Sequence, residues 1–373
     1  MQALETTAEP RDVIAAATHP NPYPYYARLV AKAPLAYDTQ LGAWVAASAE
    51  TVRALLNEPR LRVRPTAEPV PKALRGSAAG VIFRQLVRMN DGPAHSVRRQ
   101  VVQARTAAFN APVDAAAARW AQRLLDGGGP LDAARIDAFA LDLPVHAVGT
   151  LLGLDETLLP QLSARVGALA RAFAPGADED DVDCGVRAAG ALSAAFANYE
   201  NDPLGVENAI GLLFQAREAT AGLLLNTLLA LAHRRTLHAA VMARRIVVRE
   251  VVSEVVRYDP PVQNTRRFVD EEMTLDGHVL RAGDAVVLAL AAANRDPAFN
   301  PAPERFDPAR TNRRTLTFGD GAHACPGEII AIAIATAGTR ALLDRRIDLE
   351  ALTRTVTYRP SLNLRIPSFT LSP

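Results

Sequence analysis

The sequence predicts a mainly α-helical domain with a small β-sheet subdomain. Three observations carry this expectation. Ala, Leu and Arg dominate most of the chain, and all three cost little in a helix. The segment Val206–Arg235 runs without proline and is apolar on every face, the pattern of a helix buried in the middle of a large protein. Between Phe268 and Leu290 the pattern changes to short runs around Asp276-Gly277 and Ala282-Gly283, which read as strands joined by turns.

In chain order, residues 1–18 are expected to be a flexible terminus. Asn21-Pro-Tyr-Pro24 precedes a helical pattern over Tyr25–Lys32, and Pro65 to Pro71 reads as an irregular loop. Asp126-Gly-Gly-Gly-Pro130 breaks one helix from the next. Ile136–Leu154 and Ala188–Tyr199 read as helices, with Pro175–Asp181 a disordered turn between them. The stretch from Leu158 to Glu218 holds only one or two convincing helices. Val206–Arg235 then spans about 45 Å at 1.5 Å per residue. Its Gln215, Arg217, Glu218 and Thr220 are polar groups on a buried helix and need partners or a role. A helix over 240–258 follows, then the strands, a polar Pro-rich stretch Asn294–Arg314, a glycine loop Phe318–Gly327, and an apolar helix Glu328–Asp344. No period of 20–50 residues indicates a solenoid, and no linker marks a domain boundary.

Charge and cysteine content exclude several classes. The 373 residues carry 41 Lys+Arg against 40 Asp+Glu, so no strongly basic footprint points to nucleic acid. Two cysteines, Cys184 and Cys325, exclude a disulfide scaffold and a Cys-x-x-Cys zinc site. No apolar run approaches the ~20 residues of a membrane span. The first ten residues lack the basic and apolar regions of a secretory signal. The expectation is a reduced, cytoplasmic protein without a membrane anchor, in which an important cysteine acts by chemistry.

Cys325 is followed by Pro326-Gly327 and the start of a helix. Helix-terminal N–H groups favour its thiolate form, and Gly319, Gly321 and Gly327 let the backbone approach a ligand closely. The full string Phe318-Gly-Asp-Gly-Ala-His-Ala-Cys-Pro-Gly327 is more specific. It resembles the haem-binding signature of the cytochrome P450 family at every fixed position. The resemblance implies the cytochrome P450 fold, haem b (iron protoporphyrin IX) as cofactor, and Cys325 as the proximal iron ligand.

Other landmarks are similar to the family in the same order, from about Pro20 to Leu371. Glu254-Val-Val-Arg257 resembles the Glu-x-x-Arg pair, with Arg305 of Pro303-Glu-Arg-Phe306 the implied third member of a structural cluster. Arg266 aligns best with the arginine offered to a haem propionate, adjacent Arg267 being the alternative. Met89–Arg99 resembles the His-x-x-x-Arg helix, so His95 and Arg99 are implied propionate partners, together with His323. Phe318 and Gly327 belong to the same loop. The length then implies one shortened catalytic domain, residues 1–373.

The central helix departs from the family's oxygen-activation motif. At Gln215-Ala-Arg-Glu-Ala-Thr220, Glu218 keeps the acid, Ala219 replaces the usual threonine, and Thr220 keeps the next position. Successive helical residues point about 100° apart, so Thr220 cannot take Ala219's direction. Either Thr220, Glu218, water or a substrate group delivers protons, or Thr220 bonds back to its own helix. Arg217 and Glu218, as neighbours, are not expected to face each other.

The resemblance implies a soluble bacterial-type haem-thiolate monooxygenase acting on a small apolar or amphipathic organic substrate in secondary metabolism. The alternatives are non-inserting oxidation (coupling, desaturation, rearrangement) or peroxide-driven turnover, with a non-catalytic haem-binding protein disfavoured by Cys325 and Glu218. No reductase motif is present, so a ferredoxin or flavodoxin with its reductase is implied. Arg310, Arg313 and Arg314 form either its docking patch or a solvated turn. Ile82, Phe83, Ala216, Ala219, Val262 and Gln263 are expected to line the pocket, Gln263 as one polar anchor.

Overall fold

The computed structural model describes residues 8–354 and 356–370. The helices at the start of the chain are α1 (Tyr23–Lys32), α2 (Ala49–Leu56), α3 (Ala78–Gln85), α4 (Gly92–Phe109) and α5 (Val113–Leu125). The central group comprises α6 (Ala133–Leu151), α7 (Leu159–Ala172), α8 (Glu179–Ala195), α9 (Gly205–Ala232), α10 (Arg235–Met242) and α11 (Val248–Tyr258). Last come α12 (Leu290–Asn294), α13 (Glu328–Asp344) and α14 (Leu349–Leu352). α9 is the axis of the fold. Its 28 residues include fully buried Leu224, Leu225, Leu228 and Leu231, around which α6, α11 and α13 pack. Gly338 of α13 permits the closest approach, since a Cβ there would meet Leu224 Cδ1 at 2.4 Å and Leu143 Cδ2 at 2.7 Å. Among the described residues no helix is long and apolar enough to cross a membrane.

The small β component is a five-stranded sheet in the order β1-β2-β7-β4-β3. Its strands are β1 (Leu35–Asp38), β2 (Ala43–Ala46), β3 (Leu61–Arg62), β4 (Thr265–Val269) and β7 (Ala285–Leu288). The hairpin β5 (Met273–Leu275) and β6 (His278–Leu280) turns at Asp276 and Gly277, whose φ values of 50° and 78° suit a two-residue turn. A second ribbon pairs β8 (Thr357–Tyr358) with β9 (Pro367–Ser368). β2 lies parallel to β7, which joins the N-terminal hairpin to the strands near the site.

Three expectations need correction. Residues 1–7 lie outside the described residues, but 8–18 are not a loose end: Val13, Ala16 and Ala17 are fully buried. The acidic stretch near 178–181 is a helix start, not a disordered turn. Asp178 caps α8 by accepting the Asp181 N–H at 2.8 Å, and Glu179, Asp180 and Asp181 fill the first turn, where negative charge offsets the helix dipole. The helix expected over 240–258 is two, α10 and α11, because the chain turns at Arg244, whose φ is 57°.

Candidate active site

The loop that presents Cys325 is set from below by an ion cluster. Glu254 and Arg257 sit one helical turn apart on α11, both without exposure, and Arg257 Nη2 meets Glu254 Oε1 at 2.5 Å. Arg257 then donates to the Pro303 and Arg305 carbonyls, each at 2.9 Å, and Glu254 accepts the Asp307 N–H at 3.0 Å. The third member is Arg313, whose Nε lies 3.0 Å from Glu254 Oε2. Arg305 is not: its side chain is 72% exposed and pairs with Asp307. The arginine chosen from sequence lends the cluster its backbone carbonyl, and its guanidinium stands in solvent. Arg310 and Arg313 are correspondingly 12% and 17% exposed, so of the three arginines expected to form a docking patch only Arg314 is exposed. Above the cluster, Asn294 Nδ2 donates to Thr317 Oγ1 and Thr317 to the Val256 carbonyl, each at 2.7 Å. The chain therefore enters Phe318 from a fixed base.

The Phe318 carbonyl accepts the Cys325 N–H at 2.6 Å, which closes the loop, and Gly319 and Gly321 take φ values of 73° and 66°. Gly327 donates its N–H to Cys325 Sγ at 3.3 Å. Cys325 borders the cavity and keeps accessible surface, with protein packed around its thiol. That burial pushes the thiol pKa up, more than the Gly327 N–H and Arg99 pull it down. A bound cationic centre, such as a metal, would favour the thiolate expected there.

Four basic side chains gather at the rim beside this loop. His95 of α4 stacks on His323, with ring centroids 4.2 Å apart. His323 Nε2 lies 3.1 Å from Asp91 Oδ1. Burial would raise the Asp91 carboxyl, but hydrogen bonds from His323 and the Val63 N–H hold it below the usual range. Burial, then the neighbouring His323 and Arg99, push His95 down to about 4. Arg99 donates from Nη2 to the Ala324 carbonyl, while its buried Nε has no partner. On β4, successive side chains take opposite faces of the sheet. Arg267 pairs in register with Val286, which packs in the cluster of Leu55 and Leu56, and its charged neighbours are Asp91 and Arg88. Arg266 pairs with Val287, which packs against Val13 and Tyr26 on the other face. Arg267, not Arg266, therefore faces the His323 and Asp91 group. Burial brings Arg267 down to about 10.

The cavity has a volume of about 910 Å³, and Phe83, Ala216, Ala219 and Val262 line it as expected. Ile82 instead packs in the core, and Gln263 is fully buried, held by Tyr26 Oη and the Pro260 carbonyl. Ala219 and Thr220 of α9 both border the cavity, and Thr220 Oγ1 makes no back-bond of the kind Thr227 makes to Leu223. Glu218 does not line it. Arg217 Nη1 lies 3.6 Å from Glu218 Oε1, so these neighbours do meet. They meet because Arg217 is wedged beneath α7, where its Cζ would lie 3.0 Å from a Cβ on Gly167. Sequence reasoning missed Asp91, although it lies inside the quoted Met89–Arg99 string, and Arg88, which has no motif to mark it.

The spare donors at the rim test what this cavity holds. A buried guanidinium and imidazole with unused hydrogen-bonding capacity call for carboxylates. A macrocycle with two propionates and an iron centre supplies both the acceptors and the positive charge that the Cys325 thiol lacks. Fold and cavity thus fit the haem-thiolate class. The cytochrome P450 family model matches residues 190–345. Cytochrome P450 monooxygenase PikC of Streptomyces venezuelae is 30% identical over 372 residues, covering 88% of this chain and 85% of PikC. The 6-deoxyerythronolide B hydroxylase of Saccharopolyspora erythraea is 29% identical over 399 residues, covering 93% and 94%. The crystal structure of CalO2 shares the fold at a TM-score of 0.82 and 24% identity, over 98% of this chain and 99% of that one. The chain belongs to the cytochrome P450 family. It is a monooxygenase of that family, whose cofactor is haem and whose members bind organic substrates and take electrons from redox partners.

Proposed function

We propose that this chain is a cytoplasmic haem b monooxygenase of secondary metabolism that oxidises a small apolar or amphipathic organic substrate, with electrons from a ferredoxin or flavodoxin and its reductase. The observation that carries this is Cys325 Sγ, presented by its glycine loop to a cavity rimmed by His95, Arg99, Arg267 and His323. Cys325 would ligate the iron, and those four side chains would hold the propionates. When bound, haem supplies the reductive activation of dioxygen and the insertion of one oxygen atom into the substrate.

The chain's own residues do the remaining work. Phe83, Phe173 and Leu212 keep the substrate space apolar and exclude water. Ala219 places a methyl where the family has a hydroxyl, and Arg217 draws Glu218 away from the cavity. Thr220, whose hydroxyl is free at the cavity wall, holds the proton-donating position, with Glu218 in reserve behind it. Electron delivery uses the face beneath Cys325. Ile329, four residues after Cys325, is 50% exposed, and Val97 of α4, next to Arg98, is 66% exposed; such exposed apolar residues suit a docking redox protein.

The test is the carbon monoxide difference spectrum of the reduced holoprotein, compared with Cys325→Ser. Thiolate ligation gives the strongly red-shifted Soret band, and the serine variant loses it. A folded wild-type protein that binds haem and lacks that band overturns the reading.

A further inference from the structure

One amide on the cavity wall has no part in the site described above. α9 turns one stripe to the cavity: Leu212, Gln215, Ala216, Ala219, Thr220 and Leu223, the spacing of a single helix face. Gln215 stands in that stripe one turn before Ala219. Its Nε2 donates to the Gly211 carbonyl at 2.9 Å, which settles which end of the amide is nitrogen and lays it along the helix away from Ala219. Among the described residues no donor reaches Gln215 Oε1, and it is not sealed off as Asn264 Oδ1 is. Other polar side chains on the wall are turned into the protein. Thr106 donates to the Val102 carbonyl at 2.9 Å, Thr317 to that of Val256 at 2.7 Å, and Asn264 Nδ2 to that of Leu362 at 3.0 Å.

Haem cannot supply what Gln215 lacks. An amide oxygen only accepts, and so do ionised propionates, while the porphyrin nitrogens are spent on iron. The missing partner is a hydrogen-bond donor. The surroundings are apolar: Leu212 and Ala216 flank Gln215, and the Phe214 ring meets Phe173 at 5.3 Å, which meets Phe83 at 5.2 Å. A ligand that fills this space strips water from Oε1, and that loss is offset only if the ligand brings a donor. The donor is neutral, because Glu68 is the one carboxylate among the described residues that line the cavity, against several arginines and Lys72, and an ammonium would meet like charge. A hydroxyl fits twice, since it also accepts from the second hydrogen on Nε2.

We infer that the substrate carries a neutral hydrogen-bond donor, a hydroxyl or an amide N–H, and that Gln215 Oε1 accepts from it. This rests on the haem-thiolate reading, under which the cavity holds the substrate beside the haem. The experiment titrates ferric holoprotein with straight-chain primary alcohols of graded length, each against a methyl ether with the same number of heavy atoms, read by the Soret shift. The best alcohol is expected to bind about 3- to 10-fold tighter than its ether, the scale of one hydrogen bond. Gln215→Met and Gln215→Ala remove the acceptor and bring that ratio to one or below, so one folded variant of the two suffices. Gln215→Glu keeps an acceptor and keeps the preference. A series in which no alcohol outbinds its ether overturns the inference, whether or not either binds. So does a Gln215→Met protein that keeps the wild-type ratio and only melts at a lower temperature, which would leave Gln215 its bond to Gly211 and nothing more. Failure of the haem-thiolate reading shows separately, as a missing thiolate band before any ligand is added.

Discussion

Arg313 Nε donates to Glu254 Oε2 at 3.0 Å and closes, from 59 residues away in sequence, the ion cluster that Glu254 and Arg257 begin. Glu254 is wholly buried, so its charge depends on these arginines. Arg313→Ala is expected to destabilise the holoprotein by about 1.5–3 kcal/mol, the usual cost of one hydrogen bond to a buried charge that keeps its other partners, and to lower haem retention. Arg305→Ala should stay within about 0.5 kcal/mol, as an exposed substitution. Urea unfolding of the two variants decides. Equal losses would mean that Arg305 shares the cluster.

Thr220 and Ala219 make opposite predictions. Thr220→Val keeps the shape and removes the free hydroxyl at the cavity wall. More reductant should then end as hydrogen peroxide, with product formation falling by up to about 10²-fold, the lower range for a single proton-transferring side chain. Ala219→Thr supplies a second hydroxyl and should lower peroxide release. Peroxide formed per reductant consumed measures both, and unchanged uncoupling in Thr220→Val removes it from proton delivery.

Gly222 is where α9 passes the chain beside β4 most tightly. A Cβ there would meet Pro261 Cβ at 2.9 Å and the Arg365 carbonyl at 3.1 Å. Neither a proline ring nor a backbone carbonyl can swing aside. Gly222→Ala should therefore destabilise by about 1–3 kcal/mol through overpacking, despite alanine's better helix propensity. A thermal melt that rises on this substitution would show that the two segments separate easily.

His146 gives the fold an acid limit. It lies 4.7 Å from the Trp120 ring, with Nδ1 2.8 Å from the Asp142 carbonyl. Burial holds its pKa below the ordinary value, against a weaker opposing pull from that carbonyl. In the unfolded chain it titrates near ~6.5, so below that pH the unfolded state binds more protons. Its contribution is complete above about pH 6.5 and is lost as pH falls from there towards the folded pKa. The urea midpoint of the holoprotein should drop between about pH 7.5 and pH 5.5, and His146→Gln should shallow that drop. An unaltered slope in the variant would assign the acid sensitivity elsewhere.

Much of the site was legible because its signals are local. The haem loop is a contiguous string, α13 begins and ends where the apolar run Glu328–Asp344 does, and Asp276-Gly277 turns as its residues require. The acids before α8 were misread because a capping cluster and a solvated turn have the same composition. The N-terminal hairpin β1–β2 escaped notice, since its strands take their stability from β7, some 240 residues later. Gln263 reads as a pocket residue by position, yet a tyrosine far earlier in the chain, Tyr26, draws it inward.

The sequence by itself determined the cofactor chemistry, because the ligand, its loop and the helix that follows are consecutive residues whose local geometry depends little on the rest. The direction of each charge was decided only by the tertiary structure. Arg266 and Arg267 differ by one place on a strand, and the sheet sends them to opposite faces. Arg305 and Arg313 lie in one polar loop, and only the second reaches Glu254. Arg88 has no motif, and it borders the cavity only once α4, α9 and the cysteine loop have come together. A side chain's identity is local, whereas the partner it meets depends on packing between segments distant in sequence.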